Sequence, residues 1–246
     1  LDDALDDAGQ PIHGPWLIPS PLLGNDVTSL ARGDSGRLWV GTTRGLSFID
    51  PDGRTGIALD VAVVCMARVP ETGPDDGAVW VGTRQGLYRT EGNSTVRMRE
   101  ASIVALAFAP DGELWACTSG GVLYRGADWE RVADAGAITQ APVVGLAVGS
   151  DGTVWLASEN GLGRLLPDDT TALHTEKNEL LSRDVRALCM APEDTLWIAT
   201  GGGLARYLTT GRWTRFTVDS TGGGLRSKGL RELHIDEAGN LWIPTV

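Results

Sequence analysis

The chain has 246 residues, with 32 acidic side chains against 21 basic ones and a formal charge of −11. That balance excludes the basic stripe a phosphate backbone requires, and with it a nucleic-acid partner. No apolar run approaches the ~20 residues of a membrane helix, so no membrane insertion is expected.

Composition already points to one recurring unit. The 33 glycines of the chain are nearly twice the usual share of about 7%, so turns are frequent. Its nine tryptophans outnumber tyrosine and phenylalanine together, at three each. Cys65, Cys117 and Cys189 lie far apart with no metal-ligand spacing, which predicts neither a disulfide framework nor a metal site.

Residues 1–15, opening LDDALDD, read as an acidic tail. They carry no basic n-region and no apolar h-region, so no signal peptide is visible and the compartment stays open. The start at Leu1 rather than Met points to a processed protein or an excised piece. From Pro15, PWLIPSPLLGNDVTSL parallels RWTRFTVDSTGGGLRSKGLREL from Arg212, so an outer strand is expected at 16–19, opened by Trp16 and leading into the first inner strand. A borrowed strand of this kind would close a ring of sheets.

The remaining chain, 16–246, repeats one phrase six times: GRLWVGTTRGL, GAVWVGTRQGL, GELWACTSGGV, GTVWLASENGL, DTLWIATGGGL and GNLWIPTV. The tryptophans are Trp39, Trp80, Trp115, Trp155, Trp197 and Trp242, spaced 41, 35, 40, 42 and 45 residues apart. A hydroxyl follows three residues later in each: Thr42, Thr83, Thr118, Ser158, Thr200 and Thr245. In the first five copies a glycine follows six residues later: Gly45, Gly86, Gly121, Gly161 and Gly203. Upstream lie alternating segments such as SIVALAFAP and PVVGLAVGS, which read as strands.

Within these upstream strands a bulky column comprises Leu30, Leu106, Leu146, Leu188 and Leu233, joined by Met66 if PETGPDDG carries an insertion. The opposite face is small: Ser29 and Ala31, Cys65 and Ala67, Ala105 and Ala107, Gly145 and Ala147, Ala187 and Cys189. Large residues on one face and small ones on the other suit inner strands of radially packed sheets. Each unit then adds a turn, the tryptophan strand, a glycine turn, a third strand (LSFID, LYRTE, VLYRG, LGRLL, LARYL) and a weaker outer segment.

Four strands in about forty residues is the signature of a β-propeller blade. The expected fold is therefore an all-β propeller of six repeats with four-stranded antiparallel blades. Tryptophan strands are expected at 38–42, 79–83, 114–118, 154–158, 196–200 and 241–245. The sixth copy stops at Val246, short of its turn glycine, so the last blade is expected to be incomplete. That fits a six-bladed ring or a fragment of a seven-bladed one, the fragment being preferred.

At LW[VIL][GA]T followed by GL, the sequence resembles the two-component regulator propeller repeat family, and NELLSRDVRALCMAPEDTLWIATGGGLARY is similar to a nearly complete repeat. The resemblance implies a bacterial sensory or ligand-recognising propeller serving as the input part of a larger signalling protein, with no catalytic set and no cofactor. A looser similarity to streptogramin-lyase-like propellers comes without their acid–base residues.

Candidate sites follow from departures from the repeat. Glu232 and His234 occupy the small-residue column of the sixth copy and share one face of a strand. Buried together, such a pair would transfer protons, the basis of an alternative lyase or hydrolase reading. His13 and His174 are expected to be exposed and inert. Asp111, Asp151, Asp194 and Asp236 sit in inner turns, where aspartate caps its own backbone, and not in one calcium site. The repeated tryptophans are expected to pack between blades, with Trp16, Trp129 and Trp213 covering blade edges.

Recognition is expected in the loops between second and third strands, where residues vary inside a fixed frame. These are Thr43-Arg44, Arg84-Gln85, Ser119-Gly120, Glu159-Asn160 and Gly201-Gly202, joined at one channel mouth by Asn25, Asp26, Arg183, Asp184 and Lys228. A protein or a small polar ligand would dock there, read by an effector domain fused to or assembled with the propeller. A passive assembly scaffold is the third reading.

Overall fold

The computed structural model describes residues 22–70 and 77–244, apart from 127, 178, 226, 228, 231, 237 and 238. The tail at 1–15, the strand at 16–19, His13, Lys228, Thr245 and the insertion at 71–76 lie outside the described residues. The described chain forms five four-stranded antiparallel sheets and one two-stranded sheet, in which strands neighbour one another in sequence order. These are propeller blades, the last incomplete.

Blade one comprises Val27–Arg32, Leu38–Thr42, Leu46–Ile49 and Thr55–Leu59. Blade two comprises Val63–Arg68, Val79–Thr83, Leu87–Glu91 and Ser94–Arg99. Blade three comprises Ile103–Phe108, Leu114–Thr118, Val122–Arg125 and Glu130–Asp134. Blade four comprises Val143–Val148, Val154–Ser158, Gly161–Leu165 and Thr171–His174. Blade five comprises Val185–Ala191, Thr195–Thr200, Gly203–Tyr207 and Trp213–Phe216, and blade six only His234–Ile235 and Leu241–Trp242. Met66 pairs with Val81, as Leu106 pairs with Ala116 and Leu146 with Leu156, so the insertion in copy two leaves the register intact.

Inner strands lie against one another in chain order, and the bulky and small columns explain how. The repeated tryptophans of the first five blades each pack against the blade that follows. Trp39 shares a core with Val63, Val79 and Val81; Trp80 with Ile103, Leu106 and Leu114; Trp115 with Val143, Leu146 and Val154. Trp155 meets Val185, Leu196 and Ile198, and Trp197 meets Leu233 and Leu241. Space for the next inner strand comes from small residues beside the wedge: a Cβ on Gly41 would stand 2.7 Å from Val63 Cγ1, and one on Gly82 2.7 Å from Ile103 Cγ2.

The pattern stops at the two end blades. Trp242 is 60% exposed and Leu30 58% exposed, so one wedge and one bulky-column residue, both expected to be packed, face solvent instead.

The hydroxyl and glycine columns have one purpose. Thr200 Oγ1 donates to the Gly203 carbonyl at 2.7 Å and accepts the Gly202 N–H at 3.2 Å, and Thr42, Thr83 and Ser158 make the same closure. Outer-strand backbone then crosses the glycine so closely that a Cβ on Gly161 would lie 2.5 Å from the His174 carbonyl oxygen. Only a residue without a side chain fits there.

Three local features depart from the expected unit. First, every full inner strand carries a bulge, with Thr28, Val64, Val104, Val144 and Arg186 as the extra residues. Second, Ala135–Thr139 is a short helix, capped by Asp134 Oδ1 accepting the Ala137 N–H at 3.0 Å. Third, Asp111, Asp151 and Asp236 cap their own turns, but Asp194 crosses to blade four. There it accepts the Ser150 N–H at 2.7 Å and the Ser150 hydroxyl. Among the described residues no helix is long and apolar enough to cross a membrane.

Candidate functional site

The bulges and the hydroxyl-capped loops share one end of the propeller, because each bulge lies opposite the hydroxyl residue: Val27 pairs with Thr42, Val63 with Thr83, Val143 with Ser158 and Val185 with Thr200. A bulge adds one residue that the ladder does not pair and re-aims its side chain. Val144 is 53% exposed there, and the Thr28 hydroxyl donates to the Val63 carbonyl of the next blade at 2.9 Å.

Loops from both strand ends meet on this face. Thr43 N donates to Asp26 O at 3.1 Å, Ser119 N to Ser102 O at 2.8 Å and Gly201 N to Asp184 O at 2.9 Å. In blades one, three and five the loop between second and third strands is thus tied to the loop entering the same blade's inner strand. The short helix occupies the equivalent place between blades three and four, where Asn160 Nδ2 donates to Thr139 O at 3.2 Å.

The seven residues singled out on this rim divide into two groups. Arg44, Arg84, Gln85 and Glu159 are exposed, and their side chains have no partner among the described residues. Asn160, Arg183 and Asp184 are engaged. Arg183 holds Glu176 at 2.9 Å, and Asp184 accepts Arg186 Nη2 at 2.6 Å. The Glu176 carboxyl is held below its ordinary value, first by its own backbone N–H and then by Arg183. Within the loops between second and third strands, the exposed charge is therefore positive on blades one and two and negative on blade four.

Sequence reasoning missed Thr28, Val144 and Arg186. A signal was present for the first two: Val27-Thr28 and Val143-Val144, like Val63-Val64 and Ile103-Val104, place two β-branched residues in succession where strict alternation admits one, whereas Val185-Arg186 does not.

The alternative pair is not buried together. Glu232 and His234 are both exposed, whereas the small-residue column in which they stand is packed in the complete blades. His174, expected to be exposed, is 14% exposed at its side chain; its Nδ1 lies 3.1 Å from Glu179 Oε2. Its ring lies 5.9 Å from Trp155 and 5.3 Å from Trp213. The strand supplying His174 runs along the wedge of its own blade, and the outer strand of blade five closes over it. Cys65, Cys117 and Cys189 are free thiols.

Residues 21–44 match the family described as a two component regulator propeller. No curated protein matches the chain. Among solved structures it is similar to the extracellular domain of a protein described as a hybrid two component system from B. thetaiotaomicron, at 18% identity and a TM-score of 0.73. That match covers 91% of this chain and 33% of the other, so this chain spans a third of that one's length. A virginiamycin B lyase from Staphylococcus aureus, solved as a catalytically inactive variant with quinupristin, is similar at 15% identity, TM-score 0.66, covering 91% of this chain and 79% of that one. A gluconolactonase from Xanthomonas campestris is similar at 15% identity, TM-score 0.62, covering 90% and 84%. These likenesses show the propeller fold.

Proposed function

We propose that the chain is a recognition propeller whose loop face docks a polar, carboxylate-bearing ligand such as a peptide end, and whose surrounding protein senses the event. The observation that carries this reading is the pair Arg44 and Arg84. They stand in corresponding loops of adjacent blades, Arg84 at the first loop position and Arg44 at the second, exposed and without a described partner, in a protein of charge −11. Guanidinium groups bind carboxylates in bidentate fashion, and the hydroxyl-capped turns hold the loop backbones that carry them. The fold likeness to an extracellular two-component domain agrees with a sensing role, and the match at 21–44 lies in the blade that carries Arg44.

The test is calorimetric titration with short peptides whose C-termini are free or amidated. Binding of the free forms should fall by about tenfold or more in the Arg44→Ala, Arg84→Ala double variant. Equal binding of free and amidated peptides, or unchanged affinity in the double variant, overturns the reading.

A further inference from the structure

The wedge tryptophans that stand between two complete blades are not equally covered. Trp39, Trp115 and Trp155 are buried, whereas Trp80 is only half-buried. Against Trp80, between blades two and three, lies a cavity of ≈250 Å3 lined also by Leu87, Met98, Leu114 and Trp129.

Its origin lies in one column of the repeat. The third-strand residue opposite the one preceding the tryptophan is Ile49, Thr90, Leu165 and Tyr207 in blades one, two, four and five. From this place Leu165 joins the core of Trp115 and Tyr207 that of Trp155. In blade three the place falls to Gly126, its N–H donating to Leu114 O at 2.8 Å. Gly126 has φ +70, a conformation that favours glycine. The turn therefore deprives Trp80 of the side chain that covers its counterparts.

The interface between blades four and five shows what fits there. Tyr207 lies over Trp155 with ring centroids 5.0 Å apart, and Arg164 sits 5.1 Å from the Trp155 ring and 5.8 Å from that of Tyr207. An aromatic ring completes the wedge of the preceding blade. Trp129, at φ +60 and stacked on Tyr124 with centroids 4.6 Å apart, borders the space against Trp80 instead of filling it.

The chemistry of the lining narrows the occupant. Its polar side chains are Arg89 and Arg99, with no acidic residue and no Ser, Thr, Asn or Gln among the described lining. Both arginines are already engaged, Arg89 with Glu91 at 2.9 Å, so no unmatched charge selects an ion. An ion or a polyol entering here would lose hydration with nothing to replace it. Arg89 stands opposite Trp80 as Arg164 stands opposite Trp155. A guanidinium whose charge is matched at its edge keeps its faces for a π-system, which favours an aromatic ring over a saturated one of equal size. A cavity of about 150 Å3 holds benzene, so two fused rings fit in this larger one.

We propose that this cavity binds a small uncharged aromatic molecule, its ring against Trp80 in the place Tyr207 takes against Trp155. The site is separate from the loop face and does not rest on the function proposed for it.

The test is equilibrium dialysis of the protein against naphthalene, with decalin as the saturated comparison and 2-naphthoate as the charged one. One naphthalene should bind per chain, with decalin weaker by about threefold or more and naphthoate weaker by about tenfold or more. Met98→Trp, which puts a ring of the protein's own at the edge of the cavity, should weaken naphthalene by about tenfold or more, whereas Met98→Leu, which keeps the lining apolar, should stay within about twofold. Met98 is 41% exposed, so both changes are compatible with folding, and circular dichroism checks them. The Arg44→Ala, Arg84→Ala variant should bind naphthalene normally, so that failure of this site and failure of the loop face are told apart. Absence of binding to the folded protein, equal binding of either comparison, unchanged affinity in Met98→Trp, or loss in Met98→Leu or in the loop variant would each overturn the proposal.

Discussion

Thr200 and Gly203 show how much work two residues perform in every blade. The Thr200 hydroxyl, fully buried, satisfies the Gly203 carbonyl and the Gly202 N–H on the inner side of the turn. Thr200→Val keeps the shape and removes the bonds, so it should cost about 1–3 kcal/mol in urea denaturation, with Thr200→Ser recovering most of it; equal stability of the valine variant would show the hydroxyl to be dispensable. Buried thiols give a second prediction at this scale. Burial pushes Cys65 and Cys117 from the ordinary 9.0 up to about 12. The fold keeps both neutral while the unfolded chain ionises them, so their contribution is complete below pH 9 and declines as pH rises toward 12. The urea midpoint should therefore fall between about pH 8 and pH 10, and fall less in a Cys65→Ala, Cys117→Ala variant.

Strands and interfaces are where the repeated tryptophan acts. Trp155 is 3% exposed and touches blade five, so Trp155→Ala should lose about 3–5 kcal/mol. Trp242, at 60% exposure with its indole N–H on Asp236 at 2.9 Å, should lose only about 0.5 kcal/mol. Equal losses at the two positions would mean that exposure does not distinguish them.

The strands were legible because a fixed interval from tryptophan to hydroxyl to glycine survives in every complete copy, and because alternation marks the inner strands. What escaped was set by tertiary context. DAGAITQ is too short to be helical alone and is helical because it is capped by Asp134 and packed on blade four, where Gly163 leaves room for Thr139. Asp194 resembles the other turn aspartates until it is counted from its tryptophan: it stands three residues before Trp197, in the place of Gly112 and Gly152, and like them takes a positive φ, +52. The exposed rim residues Arg44, Arg84, Gln85 and Glu159 could be placed from the loop frame alone. The pairing of Arg183 with Glu176 and of Asp184 with Arg186 could not, since neither pair recurs in other blades.

At the level of the whole molecule, each blade touches chiefly its neighbours in sequence, so stability is approximately a sum over adjacent interfaces. Blades three and four are gripped on both sides. Blade one presents Leu30 and Val27, 58% and 51% exposed, and blade six presents Trp242. Those two faces carry the complementary halves of the contact that every internal interface makes.

From those unmatched faces follows an order of opening. Among the described residues, blade one and blade six each give up one interface on opening, whereas an internal blade gives up two. Deuterium should enter the amides of blades one and six first and those of blades three and four last, a gradient that mass spectrometry of peptic fragments would resolve. Uniform uptake along the array would mean that the sheets melt together rather than peel.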